Sequence, residues 1–186
     1  MTKRILVPLA EGFEELEAVT VIDLLRRARF EVIVAGLREG AVKASRGTVI
    51  LPDDSLDAVL DVSFEMVVLP GGLPGSDHLN EDIRIRNLLQ KLDAEGKWLA
   101  AICAAPKVLA SAGVLKGRKA TSYPGVLESL AETENILLSS EPVVRDGNVI
   151  TSRGPGTAMD FALELIEVLA GKERRDEVEG PLQRCG

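Results

Sequence analysis

The sequence predicts an α/β fold, a sandwich in which helices cover both faces of a largely parallel sheet. Short apolar runs alternate along the chain with amphipathic helical segments, which is the pattern of consecutive βαβ units. The runs are apolar throughout rather than alternating, as expected of strands that are buried on both faces. One run ends in a cysteine where the next helix begins, a joint that lies at the carboxyl edge of such a sheet.

The first quarter of the chain predicts one βαβ unit followed by a hairpin. The apolar run 5–9 predicts a strand, and the chain then turns at Gly12-Phe13. From 14 to 28 apolar residues recur at intervals of three and four, which predicts an amphipathic helix. The run 31–36 predicts the second strand, and residues 42–51 predict a short hairpin that turns at 45–47.

The middle of the chain carries the two strands nearest the candidate site. The run 66–69 predicts a buried strand that stops at the glycine pair Gly71-Gly72. A helix follows over 83–95, then a strand over 98–102, which ends at Cys103. The next helix runs over 105–112, with Pro106 in its first turn.

The last third predicts a further strand, a hairpin and a closing helix. Residues 119–122 predict a strand, and 143–151 predict a hairpin that turns at Asp146-Gly147. The last apolar helix begins at Thr157, which we expect to cap it, and ends at Gly171. The charged tail beyond 173 predicts a solvated helix or a subunit contact.

Length and composition indicate one globular domain spanning 1–186, with 173–186 as its charged tail. The 186 residues are 46% hydrophobic and 27% charged, and the net charge is −7. An acidic surface argues against nucleic acid and anionic membranes as main partners. The apolar run 5–9 is too short for a signal peptide or a membrane span, so we expect a cytoplasmic protein. Two distant cysteines fit reduced thiols, and Cys185 lies in the tail.

Cys103 is the main candidate for chemistry. A strand-to-helix elbow exposes a nucleophile, and N–H groups at a helix start favour the reactive thiolate, so we expect a lowered thiol pKa. The alternative is a small buried core cysteine. The candidate partners lie on the first predicted helix: Glu17 falls on its apolar side, where a carboxyl group holds its proton near neutrality, and Glu14 lies in its first turn. Helical geometry does not choose between them.

The other candidates give weaker signals. Gly71-Gly72 either supplies N–H donors to an oxyanion or forms a plain turn. His78 is the single histidine, and nothing in its spacing directs it to Cys103, so we interpret it as a surface residue. Two cysteines and one histidine do not form a metal site. Binding of a flavin phosphate has little support because the acidic loop 10–15 lacks a phosphate cradle.

Four stretches together resemble the ThiJ/PfpI superfamily, and within it the DJ-one branch. They are Gly12-Phe13-Glu14-Glu15-Leu16-Glu17, Val67-Val68-Leu69-Pro70-Gly71-Gly72, Ala100-Ala101-Ile102-Cys103-Ala104-Ala105-Pro106 and Thr151-Ser152-Arg153-Gly154-Pro155-Gly156-Thr157. The match covers nearly the whole chain, and the order and spacing of the four stretches make it specific. The resemblance implies a flavodoxin-like three-layer sandwich, a homodimer, no cofactor and a reactive cysteine at the elbow.

The resemblance also implies roles for single residues. Glu17 would be the protonated partner of Cys103, and the N–H groups of Gly72 and Ala104, beside Gly71, would form an anion pocket. Further residues would lie at the periphery of the site or at the dimer interface: Arg46, Tyr123, Arg153 and Pro155. Ala104 stands where protease-like members carry a histidine, and Tyr123 where many relatives carry one. A Cys-His hydrolase is therefore disfavoured, since tyrosine is a poor base near neutral pH.

Two hypotheses follow. As an enzyme, the chain would use Cys103 and Glu17 in a glyoxalase or deglycase reaction on methylglyoxal or its early adducts. As a sensor of oxidative stress or a redox-regulated chaperone, it would carry a sulfinate on Cys103 that Glu17 and backbone donors hold. A role in thiamine metabolism, suggested by an old family name, and an intracellular protease are remote alternatives.

Overall fold

A computed structural model describes residues 3–184, apart from the side chain of Thr133, and its strands follow the predicted order. The strands are β1 Arg4–Leu9, β2 Glu31–Gly36, β3 Val42–Lys43, β4 Val49–Ile50, β5 Asp54–Ser55, β6 Met66–Leu69, β7 Trp98–Ile102, β8 Lys119–Ala120, β9 Leu137–Leu138, β10 Val143–Asp146 and β11 Val149–Ser152. The helices are α1 Glu15–Arg27, α2 Leu56–Val59, α3 Gly75–Glu81, α4 Ile83–Ala94, α5 Pro106–Ser111, α6 Ala131–Glu134, α7 Ala158–Ala170 and α8 Lys172–Glu179.

The main sheet within 3–184 has seven strands in the order β10-β11-β7-β6-β1-β2-β5. All neighbours are parallel except the edge strand β10, which pairs antiparallel with β11. Without the edge strands β5 and β10, the order along the sheet is second, first, third, fourth, fifth in the chain. This is the flavodoxin-like order, which confirms the predicted fold class.

Each face of the sheet is covered by a layer of helices, because successive strand residues point to opposite sides. In β1, Ile5 and Val7 pack into the core under α1 and α7, whereas Leu6 packs into the core under α2 to α5. The two cores make the strands apolar throughout, as the sequence predicts. The result is the predicted three-layer sandwich.

Several smaller elements were not visible in the sequence pattern. Each of them contains only two to four residues, too few to show a periodicity. They are the edge strand β5, the single-turn helices α2 and α6, and the strands β8 and β9, which pair in a separate sheet. The predicted hairpin is confirmed, since β3 pairs antiparallel with β4 around a turn at 44–48.

The prediction that Thr157 caps the last helix is wrong. Thr157 occupies the position before α7, but its side chain makes no capping bond to the helix. Its hydroxyl instead accepts from the Gly154 N–H at 3.1 Å and lies 2.7 Å from the Ser152 Oγ. The short 3-10 turn over 155–157 places the hydroxyl inside the preceding loop, where local bonds compete with capping.

The charged tail is docked rather than fully solvated. Val178 of α8 is 5% exposed and packs into the core beneath α7. Arg175 pairs with Glu167 of α7 at 3.0 Å, and Arg184 pairs with Asp160. Cys185 lies outside the described residues. Within 3–184, no helix combines the length and the apolar character that crossing a membrane requires.

Candidate active site

The site begins where the order of the sheet reverses, between β1 and β6. Connections from these neighbouring strands leave in opposite directions, so a crevice opens beyond their carboxyl ends. The loops after the two strands are tied together by a backbone bond from Glu14 N to Gly71 O at 2.9 Å. The neighbouring strand β7 delivers Cys103 to the same edge.

Cys103 occupies the predicted elbow in a strained backbone conformation. Its φ of +63° lies in the left-handed region, which a residue with a Cβ rarely adopts. Two neighbouring segments hold this conformation: Cys103 N donates to Ser152 O at 3.0 Å, and Tyr123 N donates to Cys103 O at 2.9 Å. The chain then enters α5 through Ala104 and Ala105. The strain turns the side chain out of the strand direction, as in other nucleophile elbows.

Glu17 is the buried acid of the site. It projects from α1 and is 0% exposed. Its Oε2 accepts from the Gly71 N–H at 2.8 Å, whereas its Oε1 is buried and has no hydrogen-bond partner of ordinary geometry among the described residues. The thiol of Cys103 interacts with this carboxyl group. A buried carboxyl oxygen without an N–H donor is the atom best suited to carry a proton.

The glycine pair is required by contact distances. A Cβ on Gly71 would lie 2.6 Å from the Cys103 Cβ and 2.7 Å from the Glu17 Oε2. Gly72 has a φ of +91°, and a Cβ there would lie 2.4 Å from Glu14 N. Glycine at both positions lets the backbone lie directly against the acid and the thiol. The N–H groups of Gly72 and Ala104 are directed at the Cys103 sulfur.

The electrostatics of the pair differ from the lowered thiol pKa expected from sequence. Burial raises the pKa of Glu17 to about 7, the Gly71 N–H and the thiol oppose the shift, and Glu14 adds to it. Burial and the nearby carboxylate of Glu17 raise the pKa of Cys103 to about 12, against the N–H groups of Gly72 and Ala104. Helix-start reasoning alone neglects both the burial and the neighbouring acid.

The two groups therefore titrate as one unit. The first proton leaves the pair near neutrality, and the second is held strongly because two negative charges cannot lie side by side in a buried site. Over a wide range of pH the pair carries one charge and one proton. Its reactivity depends on whether the sulfur or the carboxylate carries that charge.

Arg46, Arg153 and Pro155 contact other loops of the chain, and Tyr123 contacts Cys103 through the backbone. The Arg46 N–H donates to both carboxylate oxygens of Glu15 at 3.1 Å, which places the hairpin turn over the start of α1. Arg153 follows β11 and donates from Nη1 to Ser140 O at 2.9 Å. Pro155 begins the 3-10 turn beyond it. Tyr123 contacts Cys103 through its backbone, and its side chain is 53% exposed.

His78 does not belong to this arrangement. It is half-buried, its Nδ1 lies 3.0 Å from Glu11 O, and it lines a separate cleft of about 530 Å³ beyond β1 and β2. Among the described residues, no group of three or more histidine, cysteine, aspartate or glutamate side chains is placed to hold a metal ion.

Sequence reasoning missed one contributor to the site and left the role of another open. Ser152, which accepts the Cys103 N–H through its carbonyl, was missed, whereas Glu14, one of the two candidate acids, raises the pKa of Glu17. The first follows from the parallel pairing of β11 with β7, which sets Ser152 opposite Ile102. The second was visible as the other acid on the same helix, but not its distance from Glu17.

Comparisons with known proteins place this geometry in context. The model of the DJ-1/PfpI family matches residues 3–168. The protein dj-1beta of Drosophila melanogaster is 50% identical over 96% of this chain and 95% of its own. Its crystal structure matches with a TM-score of 0.92 at 48% identity, covering 100% of both chains.

Two further relatives bear on the site. A Caenorhabditis elegans protein named glutathione-independent glyoxalase DJR-1.2 is 37% identical over 96% of this chain and 94% of its own. The structure of Toxoplasma gondii DJ-1, described as oxidized, matches with a TM-score of 0.94 at 36% identity, covering 100% of both chains. On the family match and these identities, the chain belongs to the DJ-1/PfpI family.

Proposed function

We propose that the chain is a cysteine-dependent enzyme that converts small reactive carbonyls such as methylglyoxal, or their early adducts, as a glyoxalase or deglycase. The observation that carries the proposal is the buried carboxyl of Glu17 facing the thiol of Cys103, with two backbone N–H groups directed at the sulfur. An acid that holds a proton beside a nucleophile provides both parts of addition to a carbonyl. The name of the C. elegans relative supports the reaction class.

The reaction on methylglyoxal balances without a cofactor. The sulfur adds to the aldehyde carbon, a C–S bond forms, and Glu17 gives its proton to the carbonyl oxygen. The carboxylate then removes the proton on the former aldehyde carbon and returns it to the adjacent carbon, while the hydroxyl proton on the first carbon moves to the neighbouring oxygen, which gives a lactoyl thioester. Water cleaves the thioester, which releases lactate and restores the thiol. The N–H groups of Gly72 and Ala104 lie where an oxyanion beside the sulfur develops.

The test is formation of lactate from methylglyoxal by purified protein. We expect wild type to form lactate and Cys103→Ala to lose the activity, because the variant cannot form the C–S bond. Cys103→Ala that forms lactate at the wild-type rate would end the proposal. The second cysteine gives a matched control, since Cys185→Ala should keep the activity.

A second candidate function is oxidative sensing at the same thiol, in the context of a stress response. Cys103 is partly exposed, so peroxide can reach it, and two N–H donors are in place for an anionic sulfinate. The description of the T. gondii relative as oxidized is consistent with such chemistry in the family. After mild peroxide, the intact mass should rise by two oxygen atoms in wild type and not in Cys103→Ala. Oxidation confined to Cys185 would contradict the sensor.

We also propose that the protein acts in the cytoplasm as a homodimer. Apolar side chains are exposed on α1 and on or beside the adjoining hairpin, where Val19 and Leu51 line one groove: Leu16 at 51%, Val19 at 47%, Val49 at 59% and Leu51 at 76%. A cluster of large apolar residues marks an interaction surface, and a second copy is the partner that the family resemblance implies. Leu16→Glu with Val19→Glu should give a monomer by light scattering, and a dimer that persists would place the interface elsewhere.

A further inference from the structure

A polar cleft, distinct from the one that His78 lines, lies beside the elbow at Cys103, and the proposed reaction does not use it. Three segments meet there, each directly after a strand: Thr121 and Ser122 after β8, Ser139 and Ser140 after β9, and Arg153 after β11. We name it the hydroxyl-lined cleft, and its volume is about 400 Å³. This is the size range of sites for small molecules.

The hydroxyl-lined cleft adjoins Cys103 through the backbone. Ser122 precedes Tyr123, whose N–H donates to Cys103 O, and Arg153 follows Ser152, whose carbonyl accepts the Cys103 N–H. The two segments that hold the elbow therefore also form the walls of the cleft. A molecule bound there contacts Ser122 and Arg153, the chain neighbours of the two residues that hold the elbow.

The donors of the cleft suit a carboxylate with neighbouring hydroxyl groups. Arg153 is half-buried, and its bond from Nη1 to Ser140 O holds the guanidinium in place at the cleft. A guanidinium has five N–H donors and binds carboxylates in a two-pronged geometry. Serine and threonine hydroxyls both donate and accept, as recognition of another hydroxyl group requires.

The Thr121 hydroxyl is a second observation, besides the charge of Arg153, that indicates a ligand. Thr121 is 1% exposed, and its Oγ1 has no hydrogen-bond partner among the described residues. A buried hydroxyl without a partner lowers stability, so a partner supplied from outside is favoured. The Thr121 backbone is fixed, since its N–H donates to the Thr151 Oγ1 at 2.9 Å.

Glu128 adds a negative charge at the rim of the cleft. It is exposed at the rim, and bonds from the backbone N–H of Gly125 and Leu127 together with Arg153 lower the pKa of its carboxyl group. The negative charge of Glu128 competes with a bound carboxylate for Arg153. It therefore weakens binding without removing the site.

We propose that the hydroxyl-lined cleft binds a small organic acid that carries a carboxylate and at least one hydroxyl group. The carboxylate pairs with Arg153, and a small shift of the cleft wall lets a ligand oxygen accept from the buried Thr121 hydroxyl. That such an acid is a substrate or product of Cys103 rests on the proposed function, whereas binding itself does not. Lactate, the product of that reaction, has this chemistry.

The test uses glycerate as the probe, with glycerol as the neutral comparison, in titration calorimetry on the full chain. We expect glycerate to bind and glycerol not to bind. Arg153→Gln should weaken glycerate about tenfold because it removes a charged hydrogen bond. Arg38→Gln, an exposed arginine after β2, is the matched control and should bind as wild type.

Two further variants separate a binding site from a structural role. Thr121→Val should weaken glycerate several-fold and yet raise the melting temperature, because it removes a buried hydroxyl that has no partner among the described residues. Glu128→Gln should tighten binding about threefold, since a competing negative charge is lost. Opposite signs from two neighbouring substitutions are not produced by general damage to the loop.

The rate of Cys103 alkylation reports whether the ligand binds beside the thiol. Glycerate at about twice its wild-type Kd should slow alkylation of Cys103 by iodoacetate in wild type and slow it far less in Arg153→Gln. Equal glycerate affinity in wild type and Arg153→Gln, or no binding by wild type, would overturn the proposal. None of these measurements uses methylglyoxal, so failure of the carbonyl chemistry is seen separately as absence of lactate formation.

Discussion

Within a few residues β7 passes from the apolar core to the reactive end of the sheet. Leu99 is 0% exposed, lies in extended backbone and packs into the core under α2 to α5. Cys103 lies in left-handed backbone beside the buried carboxyl of Glu17, whose Oε1 has no partner of ordinary hydrogen-bond geometry within residues 3–184. Leu99 fulfils every local preference of a parallel strand, whereas Cys103 opposes them. Stability is therefore concentrated in the strand and reactivity at its end.

The largest expected effect is the loss of stability when a core side chain of β7 is truncated. Leu99→Ala leaves a cavity in a close-packed core and should lower the free energy of unfolding by about 3–4 kcal/mol. Alkylation of Cys103 should keep its rate, because the elbow is held by other contacts. Denaturant unfolding measures the first quantity. Ile83→Ala, at a position 59% exposed, is the control and should change stability by less than about 0.5 kcal/mol. A Leu99→Ala variant of full stability would break the comparison.

The acid should make stability depend on pH in an unusual direction. The folded-state pKa of Glu17 is about 7, above its ordinary value of 4.5, so the folded protein binds this proton more tightly than the unfolded chain. The stabilisation is complete below pH 4.5 and is lost as the pH rises through 7. Relative to Glu17→Gln, wild type should lose about 3 kcal/mol between about pH 5 and pH 8.

Urea unfolding of both proteins at the two pH values gives the measurement. The subtraction cancels the other carboxylates, which are shared by wild type and variant. A difference that stays constant with pH would show that Glu17 ionises normally in the folded state.

The glycine that separates acid and thiol should control reactivity more than stability. Gly71→Ala introduces a Cβ that would lie 2.6 Å from the Cys103 Cβ, so the pair must move apart. We expect lactate formation and alkylation of Cys103 to fall about 100-fold. Gly156→Ala is the matched control, because a Cβ there meets no atom within 4 Å. Equal loss in both variants would point to a general effect of the added methyl group.

The smallest expected effect is the change in stability from the strained backbone at Cys103. At a φ of +63°, Cys103→Gly should be more stable than Cys103→Ala by about 1 kcal/mol, because glycine adopts this backbone at no steric cost. At Ala101, inside β7, replacement by glycine should instead lower stability by about 1 kcal/mol. The two thermal unfolding comparisons should thus have opposite signs. If both glycine variants are destabilised, the elbow is not strained.

The sequence predicted the strands and the elbow because each rests on a local pattern. The apolar runs of β1, β2, β6 and β7 are found at the predicted positions, and Glu17 faces the core as its helical phase requires. The thiol pKa could not be predicted in the same way. It depends on the burial of Cys103 and on its distance from an acid of another element, and neither is encoded near residue 103.

The hydroxyl-lined cleft marks the limit of local reasoning more clearly. Its walls come from β8 and β9, which have two residues each, and from the end of β11. Nothing in the spacing of Thr121, Ser139 and Arg153 brings them together. Thr121 meets Ser139 through the parallel pairing of two very short strands, and Arg153 joins them through the loop after β11.

The central claim is that Glu17 and Cys103 titrate as one unit, in which the first proton leaves near neutrality and the second is held strongly. The most direct test is the rate of Cys103 alkylation by iodoacetamide as a function of pH in wild type, Glu17→Gln and Glu17→Leu, with Cys103→Ala as the blank. We expect the wild-type rate to rise with a midpoint near pH 7, because the pair loses its first proton there and part of the resulting charge lies on the sulfur. The midpoint should move in both variants, which lack the acid. A rate that rises with a single midpoint near pH 9 in all three proteins, as for an isolated thiol, would contradict the claim.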